Sequence, residues 1–249
     1  MRVTLVGSAV GPAAAVVGTW DPFLAEHGRM LEHVGAQARL AGLSFVAIML
    51  DPPPALFIHG AHAWPLYDDT ATRLEIVGAS VVDALLLVRF ARRDADSNAA
   101  AFIELVCAQV RLRELWLGRA QSFGRGPEGN AEAIARVARR KRFAVRRLDA
   151  TPMHSSQVRT HLSNGRVEDA IALVGRPPAR RRPRTARVRL AWATGRYEAV
   201  ASTSRGEGVG RVTLEVEKSL RGPPAFEWPD RQIARLAFVR GPADGLDRA

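Results

Sequence analysis

Apolar residues fall in short blocks along this chain, and the blocks alternate between two periods. Ala13 to Val17 and Ser44 to Leu50 (SFVAIML) are continuous apolar runs, the pattern of strands covered on both faces. Between them Leu24, His27, Leu31 and Val34 recur at i, i+3, i+7 and i+10, one face of a helix. The pattern predicts a first strand over 13–20, a first helix over 22–41 closed by Gly42, and a second strand over 44–50. Asp21-Pro22 reads as the helix opening, with Asp21 as side-chain cap and Pro22 as a first-turn residue with no N–H to leave unpaired. The alternation continues with a helix over 70–77, a strand over 83–88 and a helix from Ser97 that turns Phe102, Leu105, Val106, Val110 and Leu112 inward. A strand over 115–118, a helix over 129–141, a strand over 143–148 and a helix opening at Ser155-Ser156 complete the series. Strands and helices alternating at these lengths imply a right-handed, doubly wound parallel sheet, α/β in class, with ligands at the carboxyl ends of the strands.

The pattern changes after Pro177-Pro178. Arg180-Arg181-Arg182-Pro183-Arg184 reads as a linker, and beyond it come short β-like runs over 186–192, 198–202, 211–216 and 233–239. Turns fall at Gly195, Gly206–Gly210 and Gly222-Pro223-Pro224. The expected organisation is a domain over 1–178 and a small β-rich module over 186–249.

Composition narrows the class. In 249 residues, 47% hydrophobic and 24% charged are ordinary for a globular protein. The single cysteine, Cys107, excludes an internal disulfide framework and suits a reducing cytoplasm. No apolar run approaches the roughly 20 residues of a membrane-spanning helix. At the amino end Gly7, Gly11 and Pro12 break any apolar helix, against a targeting segment. The net charge of +11 favours anionic ligands, nucleotides among them. Of the 36 basic residues only Lys141 and Lys218 are lysine, a skew that follows GC-rich codon usage. Nucleic acid is not an expected partner, since no stacking aromatics alternate with the arginines.

Three strand-to-helix junctions carry candidate chemistry: 18–27, 118–125 and 155–159. Unpaired N–H groups and the helix dipole converge at such junctions and attract anions. Gly118-Arg119-Ala120-Gln121-Ser122-Phe123-Gly124-Arg125 is either a plain glycine-rich turn or a loop whose backbone approaches a ligand. Ser155 and Ser156 with Arg159 one turn later fit a capped helix with a surface arginine, and equally a polyphosphate cradle. His27, on an apolar face, could be a packing histidine.

Together these stretches resemble the prokaryotic FAD synthetases, bifunctional riboflavin kinase/FMN adenylyltransferases. Gly18, Asp21 and His27 match the family's G-x-F-D-G-x-H-x-G-H signature with Trp20 in the aromatic place, while Leu24 replaces its first histidine and Glu26 its glycine. Asp51-Pro52-Pro53-Pro54 is similar to the family's F-D-P-x-P turn, and 118–125 to part of its ATP pocket. Ser155, Ser156 and Arg159 resemble its I-S-S-T-x-I-R motif, followed by matching Gly165, Val167, Ala170, Leu173 and Gly175-Arg176-Pro177. The resemblance implies a Rossmann-like nucleotidyltransferase fold and transfer of a nucleotide from ATP, with Mg²⁺, to FMN or a related phosphorylated acceptor, giving FAD. It implies nucleotide binding by Gly18, Thr19, Asp21, Gly118, Phe123, Gly124, Arg125, Ser155, Ser156 and Arg159, catalysis by His27 and Arg159, and no metal-ligating side chains. The alternative is a degenerate paralogue that holds flavin or nucleotide without turnover. Gly195-Arg196-Tyr197 and Leu214-Glu215-Val216 resemble pieces of the family's kinase barrel, whose P-T-A-N motif is absent here.

Overall fold

A computed structural model describes residues 1–7, 11–58, 65–94, 99–118, 127–148, 155–182, 187–218 and 224–242. Two compact units are built from it: Met1–Trp20, Glu26–Ile58 and Leu74–Pro152 in one, Asp21–Ala25, His59–Arg73 and Met153–Ala249 in the other.

The first unit turns the long apolar runs into one sheet. In chain order come β1 (Arg2–Gly7), β2 (Pro12–Gly18), α1 (Ala25–Leu40), β3 (Ser44–Asp51), α2 (Ala55–Ile58), α3 (Thr70–Gly78, which belongs to this unit from Leu74 on), β4 (Ala84–Arg89), α4 (Ala99–Gln109), β5 (Arg111–Gly118), α5 (Pro127–Lys141) and β6 (Ala144–Leu148). Six strands lie in the order β1-β4-β3-β2-β5-β6. All neighbours are parallel except β1, which runs antiparallel along β4 from Arg2 opposite Arg89 to Gly7 opposite Ala84. Alternate residues of the strands serve opposite faces. Ala13, Ala15, Val17, Val46, Ile48, Leu86, Val88, Leu115 and Leu117 pack with Phe102, Ile103 and Val106 of α4 and Ile134 and Val137 of α5. The intervening Phe45 meets α1, where a Cβ on Gly35 would lie 3.2 Å from its ring. The sheet is thus doubly wound, with one antiparallel edge strand that the continuous apolar runs did not announce.

The second unit holds α6 (Ser155–Ser163), α7 (Val167–Val174) and β7 (Ala179–Arg181), β8 (Arg187–Arg189), β9 (Gly195–Ser202), β10 (Gly208–Val216), β11 (Ala225–Glu227) and β12 (Arg235–Arg240). An antiparallel sheet β10-β9-β12-β7 and a pair β11-β8 enclose Tyr197, Leu214, Val216, Phe226, Trp228, Leu236 and Phe238. Val158, Leu162, Val167 and Ala170 from the two helices join this core, as do Leu24 and Tyr67 from the two segments that the unit takes from earlier in the chain.

Three local expectations are corrected. The first helix begins at Ala25, not residue 22, so Leu24 is no part of it. The arginine run read as a linker contains a strand: Ala179, Arg180 and Arg181 of β7 pair with Ala237, Leu236 and Arg235 of β12. Arg2–Gly7, for which no strand was expected, is β1. The compact units also divide the chain elsewhere than the composition break at 178. Among the described residues no helix is long and apolar enough to cross a membrane.

Candidate functional site

In the first unit the signature strand ends against its own tryptophan. A Cβ on Gly18 would lie 2.6 Å from Cε2 of Trp20, so the indole excludes any side chain there. Trp20 is buried, donates its ring N–H to the Ile48 carbonyl at 3.3 Å, and stands edge-on to His27 with ring centres 5.6 Å apart. The glycine is therefore required by packing, whatever else passes near it. Thr19 follows β2 and Gly118 ends β5, both half-buried.

His27 lies in the first turn of α1, half-buried. Desolvation lowers its pKa from 6.5 to about 4, against the pull of the neighbouring Glu26 carboxylate. At neutral pH the ring is an uncharged imidazole with one N–H to donate. The unfolded chain takes up a proton near pH 6.5 that the folded chain refuses until about 4, so stability is full above 6.5 and lost as pH falls between them. The loss is expected at up to about 1.4 kcal/mol per pH unit, reduced by the ring's remaining exposure. Urea unfolding between those pH values checks this, and a His27→Gln variant should lose that slope.

In the second unit Asp21 is buried and does not cap α1. Its carboxylate accepts the N–H of Tyr67 at 3.0 Å and that of Asp68 at 2.9 Å. Burial raises its pKa, opposed by the Arg73 guanidinium and those two N–H groups, with the Asp68 charge adding to the rise. The Asp21 main-chain carbonyl accepts Nη1 of Arg159 at 3.4 Å, and Arg159 Nη2 reaches Ser155 Oγ at 3.4 Å. Burial lowers the Arg159 pKa and the Asp21 charge opposes this. Ser155 and Ser156 open α6, as their spacing predicted, with Ser156 exposed.

Around this group lies a polar knot that sequence reasoning missed. Asp68, fully buried, takes both terminal nitrogens of Arg176 and the Ala179 N–H at 3.1 Å. The Tyr67 hydroxyl donates to the Arg176 carbonyl, and the Arg176 guanidinium lies over the Tyr67 ring at 5.4 Å. Buried Arg180 donates to the carbonyls of Tyr67 and Leu66, each at 2.7 Å. Asp21 and Tyr67 lie 46 positions apart, and Asp68 and Arg176 lie 108 apart, so no local pattern could link them.

The structure thus gathers Asp21, Ser155 and Arg159 in one unit, and places Gly18, Thr19, His27 and Gly118 in the other. Phe123, Gly124 and Arg125 lie outside the described residues. Among those described, no three histidine, cysteine or acidic side chains are grouped to hold a metal ion. Gly18, Asp21, His27, Ser155 and Arg159 all fall within residues 8–161, which match the family profile described as FAD synthetase. A protein of Geobacillus thermodenitrificans (strain NG80-2) is 26% identical over 181 residues, covering 70% of this chain and 93% of its own length. It carries the provisional name bifunctional riboflavin kinase/FMN adenylyltransferase. In fold the chain is similar to the crystal structure of a macrolide-efflux protein from Streptococcus pneumoniae. The TM-score is 0.64 at 16% identity, over 96% of this chain and 90% of that one.

Proposed function

The chain belongs to the FAD synthetase family, and from that premise we propose that it joins the AMP moiety of ATP to FMN, releasing pyrophosphate. A phosphate oxygen of FMN bonds to the α-phosphorus of ATP as the bond from that phosphorus to the bridging oxygen of pyrophosphate breaks. The nucleophile is already an anion, so the protein's task is positioning and charge stabilisation. The family match over residues 8–161, with the signature glycine, aspartate and histidine in place, carries this reading.

In this reading neutral His27 donates its N–H to the α-phosphate as charge moves onto it. Gly18, Thr19 and the N–H groups that open α1 are the first unit's candidates for binding nucleotide phosphate. Arg159, steadied by Ser155 and the Asp21 carbonyl, holds the polyphosphate with Ser156, and Asp21 acts through its backbone. Gly118, Phe123, Gly124 and Arg125 are assigned to nucleotide binding by their resemblance to the family's ATP-pocket stretch. Mg²⁺ enters with ATP, since it is commonly bound by substrate phosphates with one or two carboxylates. With Cys107 as a free thiol, we place this chemistry in the cytoplasm.

Incubation with FMN, Mg²⁺ and ATP or CTP, with mass analysis of the products, tests the proposal. FAD and pyrophosphate are expected. Binding of both ligands without product would favour the degenerate paralogue, a reading supported by Leu24, which is buried in an apolar cluster and adds no second donor. Arg159→Ala should weaken ATP binding by about 1.5–3 kcal/mol, the worth of a charge-assisted hydrogen bond. Calorimetric titration reads this directly, and unchanged affinity would return 155–159 to a capped helix. Because the P-T-A-N motif is absent, riboflavin and ATP should yield no FMN; chromatographic detection of FMN would overturn this.

A further inference from the structure

Three separate stretches of sequence deliver cations to one end of the large sheet. In a doubly wound sheet every strand start and every helix end lies opposite the strand carboxyl ends. Arg39 lies in the last turn of α1, just before β3. Arg111 and Arg113 lie at the start of β5. Arg139, Arg140 and Lys141 form the last turn of α5, and Arg142, at φ 57°, turns the chain into β6. All seven are exposed.

Among the described residues Arg140 alone of these has a carboxylate partner, Glu104. Asp83, before β4, is engaged by the Phe45 N–H at 2.7 Å. Helix dipoles account for Arg39 and for 139–141, since last-turn cations meet the negative end. They do not account for Arg111 and Arg113 on a strand, nor for Arg142 beyond the helix. The end therefore carries an excess of positive charge that folding does not require.

We propose that this end of the sheet docks double-stranded nucleic acid through its phosphate backbone, without regard to sequence. The strands β3, β2, β5 and β6 are successive neighbours, so their starting ends span about 14 Å at roughly 4.8 Å per strand, with the ends of α1 and α5 adding cations on opposite faces of the sheet. One strand of a duplex carries a phosphate for every 3.4 Å or so of axis, giving about four phosphates within reach. Guanidinium groups suit them, because their forked N–H donors match phosphate oxygens. The lack of interleaved aromatics argues against single strands, whose bases need stacking platforms, but not against a duplex bound by its backbone. An anionic membrane suits this end less well: among the described residues its exposed large apolar side chains are Val6, Leu40 and Val81, with no aromatic anchor.

Fluorescence anisotropy of a mixed-sequence duplex of about 20 base pairs tests the proposal, with salt varied from about 50 to 200 mM. The full chain should bind, and with about four phosphate contacts the affinity should fall by roughly 100-fold over that range. The triple variant Arg111→Glu, Arg113→Glu, Lys141→Glu should bind at least tenfold more weakly with a flatter salt slope. A neutralised version with glutamines should fall between, and thermal melting verifies that each variant folds. A control triple in the other unit, Arg205→Glu, Lys218→Glu, Arg231→Glu, changes net charge equally and should alter affinity less than twofold. Equal losses in both triples would reduce the effect to net charge and overturn the proposal. So would no duplex binding by the parent chain, or binding of phosphatidylserine vesicles in place of duplex.

Discussion

Replacing Asp68 by alanine is expected to destabilise the second unit by about 3–5 kcal/mol, the cost of removing one partner of a buried ion pair. Asp68 is fully buried, while the Arg176 side chain keeps 28% of its exposure. Its loss leaves the Ala179 N–H without its acceptor and strips a negative charge from a region that also contains buried Arg73 and Arg180. The aspartate thus offsets more than one guanidinium. Asp68→Asn keeps an acceptor for Ala179 but not the charge, and should cost less. Arg176→Ala on top of Asp68→Ala should cost less than the two single changes added, because the pair is removed as a unit. Urea unfolding followed through the tryptophans of this unit gives the cycle. Additive losses would mean that the pair is not coupled.

The same knot shows why parts of the fold were legible in the sequence and parts were not. Strands β2, β3 and β4 were legible because a strand buried on both faces writes a continuous apolar run, and β6 was found within a residue. β5 begins four residues before the predicted start, where exposed Arg111 and Arg113 interrupt the apolar run. β1 writes only a weak alternation through Val3 and Leu5, at the antiparallel edge of the sheet. The arginine-rich stretch after Pro178 has the composition of a solvated linker. In the fold Arg180 is buried because carbonyls of Leu66 and Tyr67, more than a hundred positions earlier, accept its N–H groups.

Asp21 is the sharper case. Asp-Pro before an amphipathic run is a sound helix-opening signal, and the helix does follow. The carboxylate is drawn away by two N–H groups at Tyr67 and Asp68 that local spacing cannot reveal. Of the candidate site, the grouping of Ser155 and Arg159 was legible because it lies within one helical turn. The tie of Arg159 to the Asp21 carbonyl spans 138 positions and required the fold.

His27→Ala is expected to lower the turnover of FAD formation by about 10²–10³, the usual effect of deleting one donor to a developing anion. Because the proposed contact strengthens only in the transition state, kcat should fall while KM for ATP changes little. The edge-on contact with Trp20 is worth about 0.5–1.5 kcal/mol, so stability should fall far less than the rate. Resemblance alone would suggest restoring the missing first histidine by Leu24→His. The structure argues otherwise. Leu24 precedes α1, is 1% exposed, and packs in the apolar cluster with Tyr67 and Val158. An imidazole there loses apolar packing and leaves polar nitrogens to be satisfied, so Leu24→His should destabilise by about 2–5 kcal/mol and add no rate. Steady-state FAD synthesis and thermal melting of the two variants, side by side, separate these outcomes. A rise in kcat for Leu24→His, alone or with Glu26→Gly, would put that side chain at the phosphates and undo its placement in the core.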